Sequence, residues 1–508
     1  MQEHIPSVSV TSPNTLGTAV PLNEDVLWRT FTLFTIPDED FESEHNWPCG
    51  MEKTLVNLRH FSHVCSLWRR ILLSSSSIWA NALNFRHLEQ ASDRWRQEIL
   101  LRTGAAPLSV IYPEISLNSP AKSFFLSMVR DNWWRMRRIC FCTRILRNFK
   151  DDERWTSFAR PAPKLEICNI SFSFLAPSPF LSIAQDRFPN TLPFIKTIII
   201  ENATFFLCQS MTRLRSLTLI SCVINEDLFT TLSELPSLER IRIAFPRVRS
   251  QLALGQIMAE DTRRRIYMPS LKELEIVPQS FEAIFWSLHR LAPSPRRTCV
   301  LDFRHGVAQP TISSLQIQHC LAQHVQSLFS SPNSGSIIFG IHTILLKRDV
   351  NNVSDPSSSP HLHVKLQSAS SLIMEIVIES INQCDLSSLT HIQFDFYPEP
   401  NASCIKLITQ TLFNATHVTI TPMTLKSIMK LYDRNFPAGV MFPSLQVLTF
   451  DTLEAAFDID TSTLQQFLDS RPDMPRIQVR KVGNTRLPSG ELVAFNLERA
   501  DEDHLVWV

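Results

Sequence analysis

The chain has 508 residues, 44% hydrophobic and 19% charged, a globular composition long enough for one large or several ordinary domains. Lys plus Arg and Asp plus Glu both number 49, so net charge offers no pull toward nucleic acid or a membrane surface. Ten scattered glycines leave no phosphate-cradling loop, and eleven cysteines without a CxxC pair favour reduced thiols in a cytoplasmic and/or nuclear protein. No apolar run approaches the roughly eighteen residues that read as a membrane span.

Residues 1–20 are Ser-, Thr- and Pro-bearing, with neither a basic start nor an apolar run, and read as a flexible leader. From Pro21 the pattern turns helical. Leu22, Val26, Leu27, Thr30 and Phe31 recur at helical spacing, with Pro21 placed for a first turn and Glu24 and Asp25 just inside it. Leu55, Leu58, Phe61, Val64, Cys65 and Trp68 repeat the pattern. Such short helices bury little by themselves, so their apolar surface must be covered by the rest of the chain or by a partner.

Pro21-Leu22-Asn23-Glu24-Asp25-Val26-Leu27, Val64-Cys65-Ser66-Leu67-Trp68-Arg69 and Ile78-Trp79 resemble an F-box, in the F-box-like form of mushroom-forming fungi. The leading Leu-Pro is displaced, and an insertion at about residues 36–53, rich in acidic residues, Trp and Pro, interrupts the pattern. The F-box-like domain is expected over residues 21–80. The resemblance implies docking on a Skp-family adaptor, and through it a cullin, by Pro21, Leu22, Val26, Leu27, Leu67 and the Trp68 side. Trp68 and Trp79 are expected partly to serve the internal core.

Residues 81–160 read as a helical and strand linker into the next region. Leu88, Ala91, Trp95, Ile99 and Leu100 mark a helix that Gly104 and Pro107 should stop, and Leu108 to Tyr112 then reads as a strand. Arg102-Thr103-Gly104 and Pro107-Leu108-Ser109 extend the resemblance to the fungal F-box proteins. Trp133-Trp134-Arg135-Met136-Arg137-Arg138 interleaves basic and aromatic residues, as a nucleic-acid binder would. Packing of the rings under arginine stems is the better reading.

From residue 161 to 482 strand-like phrases recur at intervals of mostly about twenty to thirty-three residues, close to leucine-rich-repeat lengths. Leu165-Glu166-Ile167, Leu238-Glu239-Arg240-Ile241 and Leu445-Gln446-Val447-Leu448 are examples. Leu214-x-x-Leu217-x-Leu219-x-x-Cys222-x-Ile224 is the best copy, with Cys222 a buried turn residue. The phrase weakens from about Pro295 to Asp385, and a helix with a last strand near Ile477 to Val479 should cap the array before a tail at 483–508. The expected fold class is α/β: an N-terminal helical F-box-like module followed by an irregular leucine-rich-repeat-like solenoid.

No catalytic residue, cofactor or metal site stands out. His361-x-His363, Cys140-x-Cys142 and the acidic insertion from Asp38 to His45 are weak candidates, read as a stray pair, core thiols and a solvated loop. The resemblance implies a non-catalytic substrate-recognition subunit of an SCF-type cullin–RING ubiquitin ligase, binding a protein target on the solenoid's concave face. The competing expectations are a repeat scaffold whose N-terminal helices only cap the solenoid, and a nucleic-acid binder at Arg135 to Arg138.

Overall fold

The structure, a computed structural model, describes residues 23–35, 53–89, 91–115, 119–143, 160–172, 192–202, 211–224, 226–248, 265–278, 280–303, 314–329, 335–340, 343–348, 360–366, 371–386, 389–395, 415–421, 424–429, 442–452, 467, 478–483, 493–501 and 504–507. It is a mixed α/β protein with one large, open sheet.

Four short helices lead. α1 (Glu24–Leu33) opens where the Asn23 side chain accepts the Asp25 N–H, and its acidic first turn suits the positive end of the helix dipole. α2 (Thr54–Phe61) and α3 (Ser66–Ser74) pack on its Leu27–Phe31 face. Helices of 8–10 residues do not persist alone in water, so packing must hold them. The rings of Phe31, Phe61 and Trp68, one from each helix, meet pairwise at 5.1–5.8 Å. An exposed Arg70–Glu24 ion pair also joins α3 to α1 and adds little. In α4 (Ser76–Asn81), Trp79 is buried, and the Arg102 guanidinium lies 4.9 Å above its ring.

The sheet begins inside the stretch expected as a linker, at β1 (Leu83–Asn84). α5 (Phe85–Leu88), α6 (Asp93–Arg102), β2 (Leu108–Ile115), α7 (Ala121–Asn132), a 3₁₀ turn (Trp133–Arg135) and β3 (Met136–Thr143) follow. α6 ends as its sequence indicates. Thr103 caps it, and Gly104 adopts φ +48°, a left-handed conformation that glycine takes without a Cβ penalty. Arg135 then closes this corner from inside. Its guanidinium is buried and donates to the carbonyls of Gly104 and Ala106 and to the Thr103 hydroxyl. Burial lowers its pKa, and the arginine acts as an internal staple. That use removes it from any nucleic-acid surface.

β4 (Ile167–Phe172), β5 (Thr197–Glu201), β6 (Ser216–Ile220), β7 (Val223–Ile224), α8 (Glu226–Ser233), β8 (Arg240–Ala244), β9 (Arg247–Val248), β10 (Glu273–Val277), α9 (Phe281–Arg290) and β11 (Thr298–Phe303) come next. Apart from β7 and β9, which pair with each other, these strands add to the sheet in chain order, parallel and in register. Ile139, Cys168, Ile198, Leu217, Ile241 and Leu274 therefore form one transverse row; Phe141, Ile170, Ile200, Leu219, Ile243 and Ile276 form the next. Both rows are buried, and Phe125 of α7 meets Phe141 at 5.8 Å on that face. Each such side chain contributes about 1.5–3 kcal/mol by leaving water. Residues between the rows point to the opposite, open face.

The strands share their turns. Leu165, Ile195, Leu214, Leu238 and Leu271 each donate to the carbonyl three residues back just before a strand. After β5, β6 and β8, the non-glycine residues Asn202, Ser221 and Phe245 take φ of +57°, +51° and +51°. Their N–H groups reach the carbonyls of Ile220, Ala244 and Val277, the last residues of the adjoining strands. Cys222 is buried in this turn, its thiol 3.4 Å from the Ile200 carbonyl.

The region of weak phrases holds α10 (Ser314–Phe329), β12 (Gly335–Gly340), β13 (Thr343–Arg348), β14 (His361–Leu366) and α11 (Ser371–Asn382). The last of the three strands, β14, pairs parallel with β11, and β13 runs antiparallel between β14 and β12. β12 in turn pairs parallel with β15 (Leu389–Asp395). The chain thus crosses the sheet in reverse for three strands, yet the parallel array resumes at β15. β16 (His417–Ile420), β17 (Val447–Thr452) and β18 (Gln478–Gly483) continue it in parallel. The expected tail instead extends the sheet with antiparallel β19 (Val493–Asp501) and β20 (His504–Trp507).

Candidate docking surface

Two surfaces hold the chemistry, one on the N-terminal helices and one on the open sheet face. On the helices, the residues expected to dock a partner separate into distinct environments. Pro21 and Leu22 lie outside the described residues, as do the leader and all of the insertion but Lys53. Val26 is 49% exposed, whereas Leu27, its neighbour on α1, is 3% exposed and belongs to the core. Leu67 and Trp68 are half-buried against that core. Trp79 is fully internal, and its indole N–H donates to the Leu72 carbonyl at 2.7 Å.

Residues beyond those expected to dock the adaptor enlarge this surface, Val64 of the F-box-like motif among them. Leu33, Phe34, Val56, Val64 and Leu73 are exposed along with Val26 and Trp28. These are seven of the twelve exposed large apolar side chains among the described residues, all within α1–α3 and their flanks, so the exposed apolar surface is concentrated here. Phe34 meets Phe61 at 5.5 Å, which ties the exposed side chains to the aromatic cluster beneath. The sequence signal was present at Leu33 and Phe34, which continue the apolar run beyond Phe31. The α1 spacing alone does not say which stripe the other helices cover.

The open face has a cavity of about 240 Å³ over β3, β4, β5, β6 and β8. Ser109, Cys140, Asn169 and Ser216 are among its lining residues, together with Arg137, Arg138, Lys196, Arg215 and Arg240 and one carboxylate, Glu166. Glu166 pairs with Lys196 at 2.9 Å and with Arg137 at 3.8 Å. Arg137 and Arg138 thus belong to the sheet face, whereas the neighbouring Arg135 is internal.

The chemically suggestive pairs of the sequence, Cys140 with Cys142 and His361 with His363, lie on β3 and β14. Cys140 and Cys168 are buried, and desolvation pushes each thiol up to about 12, far from the thiolate that a nucleophile needs. His361 and His363 share one face of β14 with ring centroids 6.4 Å apart. Among the described residues, no three His, Cys, Asp or Glu side chains are grouped to hold a metal, and no helix is long and apolar enough to cross a membrane. The acidic insertion residues Asp38 to His45 lie outside the described residues.

No protein-family model matches the chain, and no curated protein matches it.

Proposed function

We propose that this protein is a substrate-recognition subunit of an SCF-type cullin–RING ubiquitin ligase. In this reading α1–α4 are the F-box-like module, which docks a Skp-family adaptor. The sheet with its helices is the leucine-rich-repeat-like solenoid, which holds a protein target on its open face. The ubiquitin chemistry belongs to partner subunits, and the site of action is cytoplasmic and/or nuclear.

The observation that supports this most is the exposure of Val26, Leu33, Phe34 and Val64 on helices whose Leu27, Phe31, Leu58 and Leu72 are buried in the core that continues into the sheet. A module that only capped the sheet would turn its apolar stripes inward. The open face of the sheet, its strands parallel and in register from β3 to β11, offers the extended surface that a protein target needs. Burial of Leu27 and half-burial of Leu67 and Trp68 favour the scaffold reading for those three side chains.

Co-purification of the full chain with its organism's Skp-family adaptor decides between the two. The parent should retain the adaptor. A Val26→Asp/Val64→Asp double variant should lose it while melting at the same temperature, because both side chains are exposed. A folded parent that retains no adaptor would overturn the ligase reading and leave the scaffold.

A further inference from the structure

Each strand from β3 to β6 is entered by the same turn, and the side chains of these turns form a ladder along the rim of the sheet. Met136, Leu165, Ile195 and Leu214 donate their N–H groups to the carbonyls three residues back, those of Trp133, Ala162, Leu192 and Met211. Neighbouring strands are about 4.8 Å apart, so the turns repeat at that interval. Their chemistry alternates. Trp134 of the first turn is 53% exposed and Phe194 of the third is 40% exposed. The Lys164 ammonium, from the second turn, lies 5.5 Å from the centre of the Trp134 ring. The Arg213 guanidinium, from the fourth, lies 4.5 Å from the centre of the Phe194 ring. Aromatic, cation, aromatic and cation thus follow one another across four strands. Neither Lys164 nor Arg213 forms an ion pair among the described residues. Glu166 and Glu239, which stand behind the ladder, are engaged by other cations: Glu166 by Lys196 at 2.9 Å and Arg137 at 3.8 Å, Glu239 by Lys272 at 3.1 Å.

We propose that this ladder binds a proline-rich segment of a partner polypeptide, of the form Pro-x-x-Pro with an adjacent carboxylate. A polyproline II helix turns every three residues with a rise of about 3.1 Å each, so prolines at i and i+3 stand about 9.3 Å apart. The turns bearing Trp134 and Phe194 are two strand spacings apart, about 9.6 Å. The two prolines of the motif therefore fall against the two rings, as in other aromatic-lined sites for such helices. A polyproline II helix makes no internal hydrogen bonds, which leaves its carbonyls open to donation from Lys164 and Arg213. The ligand carboxylate complements the charge of the same two side chains. A single strand of nucleic acid fits less well. Bases stack on open ring faces, and one face of each ring here lies under a cation. The carboxylates of Glu166 and Glu239 behind the ladder would also repel a phosphate backbone. The proposal goes beyond the adaptor reading and holds equally for a scaffold.

The test measures binding of the full chain to degenerate peptide libraries with fixed Pro-x-x-Pro-Glu, Ala-x-x-Ala-Glu or Pro-x-x-Pro-Lys cores, and to a single-stranded oligouridine. The first library should bind about tenfold or more tighter than the second. It should also bind tighter than the third, by a margin that shrinks as salt rises. A Trp134→Ala/Phe194→Ala variant should lose the preference for proline without a change in melting temperature, because both rings are exposed. If that variant does not fold, Arg213→Glu, at an exposed side chain, should erase the advantage of the Glu library over the Lys library. Equal binding of the proline and alanine libraries, or a proline preference that survives in the folded ring variant, would overturn the proposal. So would a charge preference unmoved by Arg213→Glu, or tighter binding of the oligouridine than of any peptide. Adaptor capture is read separately on the N-terminal helices. Retained adaptor with no proline preference sinks this inference alone; proline preference without adaptor capture sinks the ligase reading alone.

Discussion

The indole N–H of Trp79 donates to the backbone carbonyl of Leu72 at 2.7 Å, and this buried bond joins the end of α3 to α4. Leu72 is in the last turn of α3, where its carbonyl also accepts the N–H of the capping Ser75 at 3.3 Å, so the tryptophan supplies the second and shorter of two bonds. Trp79→Phe keeps most of the ring volume and deletes the donor. It should cost about 0.5–1.5 kcal/mol in chemical denaturation, the usual net worth of one buried hydrogen bond, since the Ser75 N–H still reaches the carbonyl. An unchanged midpoint would mean that the Ser75 N–H alone satisfies the Leu72 carbonyl.

The adjacent residues Val26 and Leu27 should respond in opposite ways to the same change. Leu27→Asp places a carboxylate in the Phe31–Trp68 core and should unfold the N-terminal helices, seen as rapid proteolysis in that region. Val26→Asp changes an exposed side chain and should stay within about 0.5 kcal/mol of the parent. Comparable losses in both would show that the Val26 stripe is covered in solution.

Ser221 tests the turns shared by successive strands. Its φ of +51° and its N–H bond to the Ala244 carbonyl at 2.7 Å are both incompatible with proline. Ser221→Pro should destabilise by about 3 kcal/mol or more, measured by denaturant midpoint. Ser221→Gly, which suits a left-handed φ, should cost far less. Equal effects would argue against the turn geometry.

His324 gives the protein an acid sensitivity with a defined sign. It lies on α10, and its Nε2 donates to the Leu288 carbonyl at 3.0 Å in the neutral ring. Burial pulls its pKa from 6.5 down to about 4, and the positive charges of Arg297 and Arg265 act in the same direction. Between those values the unfolded chain takes up a proton that the folded chain refuses. Stability from this group is therefore whole above pH 6.5 and falls as pH drops toward 4, by roughly 3 kcal/mol. His324→Gln keeps a donor and does not titrate. The parent should lose more stability than the variant over that window, and parallel pH profiles would contradict the assignment.

Much of the local architecture was legible in advance. The alternation in Ile198 to Ile200, Leu217 to Leu219 and Ile241 to Ile243 gives strands with one apolar face, and in-register pairing turns those residues into the two buried rows. Gly104 marked the end of α6 because few other residues accept its backbone angle readily. The left-handed turns at Asn202, Ser221 and Phe245 were not legible, since no glycine marks them. Nor was the role of Arg135. A sequence of alternating arginines and aromatics fits a ligand surface as well as an internal staple, and the difference lies in carbonyls of Gly104 and Ala106 some thirty residues away.

The amino-acid sequence by itself determined the helices around Phe31, Phe61 and Trp68 and the strand phrases of the repeating sheet. Both follow from the spacing of apolar residues along one short segment, which local backbone geometry translates directly into a face. The tertiary structure alone decided which face is covered. It buried Leu27 and left Val26 open, and it set β14, not β12, beside β11. It also gathered Arg137, Lys196, Arg215 and Arg240 around one cavity. Periodicity fixes a side chain's direction relative to its own element, but its neighbours are chosen by the pairing of segments far apart in the chain.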